Sequence, residues 1–96
     1  MHYRITRVEH EPENRDKVVE LLDGKKDLLL QFDGLNSVSM VGVSDSVTVA
    51  ISKYDTEEHL NNVEERFREI MVDLMPLLTA PPEVSNGDVF WEFNQQ

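Results

Sequence analysis

The stretch Val47-Thr48-Val49-Ala50-Ile51-Ser52-Lys53-Tyr54-Asp55-Thr56-Glu57-Glu58-His59-Leu60 passes from one periodicity to another without a linker. Val47, Val49 and Ile51 alternate with polar or small residues, the period of two of a strand with one apolar side. After Tyr54 the alternation stops. Asp55 or Thr56 is placed to cap a helix, and Glu58, three residues beyond Asp55, can return a bond to the cap backbone. The helix that follows has the best stripe in the chain: Leu60, Val63, Phe67, Ile70, Met71, Leu74, Leu77 and Leu78. Pro76 should kink or end it within a turn, and Pro81-Pro82 forbids continuation.

Working back from Val47, Val38 and Met40 alternate with Ser37, Ser39 and Val41, and Ser44-Asp45-Ser46 joins the two runs into a hairpin. Upstream lies a long helical pattern from Pro12 to Asp33-Gly34. Acidic residues open it, as the helix dipole favours, and its apolar positions include Val18, Leu21, Leu22, Leu28, Leu29 and Phe32. Gly24 predicts a kink or a loosened turn. Tyr3, Ile5 and Val8 form a first strand with one slip, read as a bulge near Arg7. At the other end Asn86-Gly87 reads as a turn, and Val89, Trp91 and Phe93 as a last strand alternating with Asp88, Phe90 and Glu92.

The order β-α-β-β-α-β predicts one α+β domain over residues 1–96, a ferredoxin-like sandwich. Its four-stranded antiparallel sheet has order 4-1-3-2 with two helices on one face. Right-handed crossovers are expected to make the first and third strands parallel neighbours. The helix-facing side is assigned Ile5, Val38, Met40, Val47, Val49, Ile51, Val89, Trp91 and Phe93. The opposite side then carries Val8, Val41, Val43, Ala50 and Phe90 among Thr6, Ser39, Thr48 and Ser52. That side is too apolar to leave in water. A second copy covering it gives a closed two-fold dimer, a dimeric α+β barrel.

Nineteen acidic against nine basic residues give a formal charge of -10, which repels phosphate backbones and anionic membranes. Neither nucleic acid nor a membrane is an expected partner. With no cysteine, thiolate zinc sites, iron–sulfur clusters and thiol nucleophiles are excluded. The N-terminus alternates where a signal peptide needs an unbroken apolar run, so the expected location is cytoplasmic. Paired cysteines for metal handling, basic aromatic strands for RNA and a phosphate-binding first loop are all missing, since Glu9-His10-Glu11-Pro12 would repel a phosphate.

The run Gly34-Leu35 entering a strand, the segment Ile51 to Leu60 and the close Gly87-Asp88-Val89-Phe90-Trp91 together resemble the antibiotic biosynthesis monooxygenase (ABM) superfamily of dimeric α+β barrels. The resemblance spans nearly the whole chain. It implies a pocket between sheet and helices within each subunit, and members include cofactor-free oxygenases of polycyclic phenols and heme-degrading oxygenases. The heme-degrading pattern is not met. Tyr54 stands where that branch prefers tryptophan, Glu64 where it has its axial histidine, and Thr6 or Arg7 where it has asparagine.

The pocket is therefore expected to take a small aromatic or quinone-like ligand without a cofactor or metal. Its candidate residues are Met40, Tyr54, His59, Arg66, Phe67, Met71 and Trp91. Tyr54 is placed at the cleft mouth, where its hydroxyl can meet a carbonyl or phenol. His59 is placed at the pocket rim, where a near-neutral imidazole suits deprotonation of a phenol. Arg66, roughly 10 Å further along the helix, can hold an anionic group or pair with Glu69. Trp91, Phe67, Met71 and Met40 can wall the cavity or fill the core, and methionine adapts to flat ligands. His2 and His10 have no carboxylate at ligand spacing. Two functions follow: a cofactor-independent monooxygenase using Tyr54 or His59, or a non-catalytic small-molecule-binding or structural dimer. A cavity above about 300 Å³ beside Trp91 separates the first from a pocket filled by side chains.

Overall fold

In the computed structural model, which describes residues 1–95, the chain forms a four-stranded antiparallel sheet with all its helices packed on one face. Strand β1 (His2–Glu9) leads through a short 3-10 turn (Pro12–Asn14) into α1 (Arg15–Asp23) and α2 (Lys26–Leu29). Strands β2 (Leu35–Ser44) and β3 (Val47–Tyr54) form the hairpin. Helices α3 (Glu57–Asn62) and α4 (Glu64–Leu74), a 3-10 turn (Met75–Leu77) and β4 (Glu83–Asp88) complete the order. The sheet runs β2-β3-β1-β4, the order expected from the sequence.

Strands β1 and β3 are antiparallel, not parallel, in a continuous register from His2↔Tyr54 to Glu9↔Val47. The crossover from β1 through α1 and α2 to β2 leaves one strand's width between β1 and β2. Strand β3 turns back into that gap, so the parallel pair is β1 and β2, which do not touch. The register also removes the bulge expected near Arg7. The irregularities lie in β2 instead, between Leu35 and Ser37 and between Gly42 and Ser44. The second strongly bonded hairpin partner is held by Arg15, whose guanidinium donates to the carbonyls of Ser44 and Val47 across the turn.

The helical layer breaks twice. Gly24 ends α1, as its low helix propensity predicts, and Lys25 at the break reaches Asp73 of α4 at 2.6 Å. The second break, at Val63, was not expected. This buried β-branched residue leaves the helical region with φ -108° and ψ 12°, and splits one amphipathic stripe into α3 and α4. Thr56 caps α3, its hydroxyl accepting from the His59 amide at 3.2 Å. Val18, Phe32, Tyr54, Leu60, Val63, Ile70 and Leu74 form the buried core between helices and sheet.

Two assignments made from alternation are corrected. The inner face of β1 and β3 is His2, Arg4, Thr6, Val8, Thr48, Ala50, Ser52 and Tyr54, while Ile5, Val47, Val49 and Ile51 turn outward. A period of two fits either side of a sheet. Here the stacked helices take the smaller, more polar row, and Val38 and Met40 of β2 do face inward as expected. The last strand is also earlier than predicted. Strand β4 is Glu83–Asp88, including Asn86 and Gly87, which were expected to turn. Having paired along β1 with Val84, Ser85, Asn86 and Asp88, it runs out of partner at His2. Phe90, Trp91 and Phe93 therefore leave the fold, 99%, 76% and 70% exposed.

Among the described residues Gly34 alone lies in the left-handed region, with φ 81°, and a Cβ there would run into the His59 ring. Gly34→Ala is expected to lower unfolding stability by about 1–3 kcal/mol in urea melts. Gly87→Ala, whose added Cβ meets nothing within 4 Å, is expected to stay within about 0.5 kcal/mol of the parent.

Candidate functional site

Between the inner sheet face and the helices lies a cavity of about 60 Å³. Its sheet wall is Thr6, Val8, Val38, Met40, Ala50, Ser52 and Tyr54, and its helix wall includes Val18, Leu22, Phe67, Ile70, Met71 and Leu74. Leu29, Phe32, Leu35 and Val38 wall it on one side and a solvent-open groove of about 360 Å³ on the other. The groove runs along edge strand β2 against α2, with Lys26 and Asn36 at its polar margin. The enclosed space is below the 300 Å³ mark: side chains fill most of the interior. The groove alone exceeds that mark but is open to solvent, so a small-molecule site of ordinary volume here has to include the groove.

One end of the cavity is polar. Arg4 points inward from β1 and is 1% exposed. Its Nη2 donates to Glu64 on α4 at 2.6 Å, and its guanidinium stacks 3.6 Å from the Phe67 ring centre and 5.6 Å from that of Tyr54. Its Nη1 is buried without a hydrogen-bond partner. Burial lowers the Arg4 pKa and raises that of the Tyr54 hydroxyl; the two groups partly offset each other, while Glu64 pushes Tyr54 further up. Tyr54 is thus held as a neutral phenol, a hydrogen-bond donor and not a base at neutral pH.

Of the residues expected at the pocket, Met40, Tyr54, Phe67 and Met71 wall the cavity together. The other three are elsewhere. His59 packs over Gly34, with Nδ1 2.7 Å from the Thr56 hydroxyl and Nε2 3.8 Å from Asp33. It is turned away because the break after Asn62 lets the first turn of α3 rest on the Gly34 loop. Arg66 is exposed on the outer side of α4, and no ion pair among the described residues uses it. Trp91 is carried off in the tail, so nothing in the cavity lies beside it. Arg4 and Glu64, the polar pair behind the walls, were missed. Only the inward parity of β1, which alternation left undecided, would have flagged a charged residue on the core side.

A second cluster was also invisible to spacing. Strand pairing sets His2 opposite Asp88, whose carboxylate accepts from Nδ1 at 2.7 Å, while Nε2 lies 2.7 Å from the Asn86 side-chain oxygen. An acceptor at each ring nitrogen favours the protonated imidazole and raises its pKa. Glu57 completes a trio with His2 and Asp88 whose potential ligand atoms lie within 4.8 Å of one another. The expectation that His2 has no nearby carboxylate is corrected by the meeting of the two chain ends in adjacent strands.

The sequence matches no protein-family model and no curated protein. Among solved structures, the chain superposes on a Streptomyces coelicolor monooxygenase from the gene ActVA-Orf6, in complex with nanaomycin D. The TM-score is 0.83 at 17% identity, over 99% of this chain and 92% of that one. It matches an antibiotic biosynthesis monooxygenase at TM-score 0.71 and 16% identity, over 93% of this chain and 98% of that one. The chain shares the ferredoxin-like fold of these structures. A dimeric ferredoxin-like protein from an uncultured marine organism matches as well, with TM-score 0.82 and 15% identity over 99% of this chain and 92% of that one. No helix among the described residues is long and apolar enough to cross a membrane.

The His2–Asp88 pair gives the chain a pH dependence. Hydrogen bonds donated to Asp88 and then to Asn86 raise the His2 pKa above its ordinary 6.5, and the bond accepted from His2 lowers that of Asp88 below 3.8. The histidine's contribution is complete below pH 6.5 and fades as pH rises through its raised value. The aspartate's is complete above 3.8 and fades as pH falls through its lowered one. In thermal melts across this range the parent is expected to lose stability as pH rises above 6.5, and His2→Asn to remove that loss.

Proposed function

We propose that the chain is an ABM-superfamily homodimer that binds one small, flat, aromatic or quinone-like molecule per subunit between sheet and helices. The observation that carries this reading is the mainly apolar wall of the cavity, whose polar members are Thr6, Ser52 and Tyr54, continuing into a groove with Lys26, Asn36 and Ser37 at its margin. Met40 and Met71 face each other across it, and methionine adjusts to planar ligands at little cost. Binding without catalysis is the better supported of the two functions. Tyr54 is the titratable side chain of the wall, it is kept protonated, and His59 lies outside. The oxidative reading, a cofactor-independent monooxygenase, draws its support from the nanaomycin D complex of the Streptomyces coelicolor protein.

The dimer reading rests on the outer face of the sheet. Ile5 pairs with Ile51 and Val41 with Val49, making a continuous aliphatic band across β1, β3 and β2. Ile5 and Val41 are more than two-fifths exposed, and the tail adds Phe90, Trp91 and Phe93. This side of the sheet is more aliphatic than the side the helices cover, and a second copy buries it isologously.

Sedimentation at micromolar concentration is expected to give a two-chain species, and Val49→Lys a single-chain one. Emission from Trp91, the sole tryptophan, should shift to the blue on assembly. A parent protein that sediments as a single chain would refute the dimer. For the cavity, incubation with phenols in an oxygen electrode separates the two functions. Binding without oxygen uptake is expected, and uptake abolished by Tyr54→Phe would establish the oxygenase.

A further inference from the structure

Behind one end of the cavity wall the fold buries a charge that it uses only in part. Arg4 offers five donors. One is taken by Glu64, while Nη1 is shut away from water with no acceptor among the described residues. An unpaired buried donor on a charged group is among the costliest features a fold can retain. Its surroundings are those of the cavity. Arg4 lies across from Ser52 in the sheet, next to Thr6 on the inner row of β1, and against the rings of Tyr54 and Phe67; all four are wall residues. Arg4 itself stands one layer back, under the face of Phe67. In contrast, the other unpaired buried donor, Arg15 Nε, belongs to a guanidinium already bonded to the carbonyls of the β2–β3 turn.

We infer that Arg4 is an oxyanion subsite: the ligand of this cavity carries an acidic oxygen, a phenolate, enolate or carboxylate, which reaches Nη1 when the Phe67 ring swings aside. The rest of the ligand lies along the apolar wall toward the β2 groove. The inference rests on the proposed use of the cavity for a flat ligand and names the chemistry at one end of that ligand. Two physical facts favour an anion over a neutral oxygen. Glu64 is partly exposed and binds through a single oxygen, so Arg4 keeps positive charge unshared in a site closed to water. The Tyr54 side chain, its ring centre 5.6 Å from the guanidinium and its hydroxyl kept protonated, brings a second donor to this end of the cavity. The Phe67 ring is held over the guanidinium by the cation–π contact, which an incoming anion competes with directly.

The test uses the full chain with labelled methionine methyls. Met40 and Met71 report the cavity, and the exposed Met1 and Met75 serve as outside controls. Two probes of one frame are titrated at neutral pH: the hydroxynaphthoquinone lawsone, which is ionised there, and naphthalene, which has no oxygen. Lawsone is expected to shift Met40 and Met71 and to bind at least about tenfold more tightly than naphthalene, the gain of one charge-assisted hydrogen bond. Arg4→Met should remove that preference. Should Arg4→Met not fold, Glu64→Gln keeps Arg4 and removes the competing carboxylate. It is expected to tighten lawsone several-fold and leave naphthalene unchanged. Equal affinity for the two probes, a preference that survives Arg4→Met, or a ratio unmoved by Glu64→Gln would each overturn the subsite while leaving the cavity reading intact. Methyls that respond to neither probe would overturn the cavity reading as well.

Discussion

The register of β3 decides most of what this protein is. Once Tyr54 turns inward at the end of the strand, Ser52, Ala50 and Thr48 follow it by the strict alternation of a pleated sheet, and Ile51, Val49 and Val47 are sent outward. Pairing with β1 then carries Arg4, Thr6 and Val8 inside and Ile5 outside. The helices close over a row of small and polar side chains that cannot fill the space beneath them. This leaves a cavity on the inside, with a buried charge behind one end of its wall, and a band of aliphatic residues on the outside. A slip of one residue would exchange the two faces, burying valine and isoleucine under the helices and abolishing cavity and outer band together.

The elements themselves were legible because each is written locally. The change of period at Tyr54, the cap at Thr56, the glycines at 24 and 34 and the prolines beyond Leu74 mark boundaries by short-range sterics and hydrogen bonding. The order of elements was enough to give the strand order. What alternation could not decide was which side of each strand meets the helices, because Ile5 and Val49 suit a core as well as Thr6 and Ala50 suit a cavity. That choice is made by the whole packing, and with it went Arg4 and Glu64, sixty positions apart along the chain. His59 was misplaced for a different reason. Its stripe position was correct for one unbroken helix, but the turn at Val63 reorients α3 against the Gly34 loop.

The same reasoning explains the last strand. Val89 to Phe93 has strong strand propensity, yet a strand needs an edge to pair with, and β4 has already used the length of β1 from Arg7 to His2. Propensity without a partner yields an extended tail. Its aromatic residues project from the same end of the sheet at which His2 and Asp88 close the fold, anchored by the Val89 amide donating to the Met1 carbonyl at 3.0 Å.

Three bulky rings on a strandless segment are the kind of surface that chaperones and proteases engage. In a lone chain they stand open to such quality control; under the proposed dimer, burial of the tail would shield them, and the lifetime of the polypeptide would then rise with its abundance.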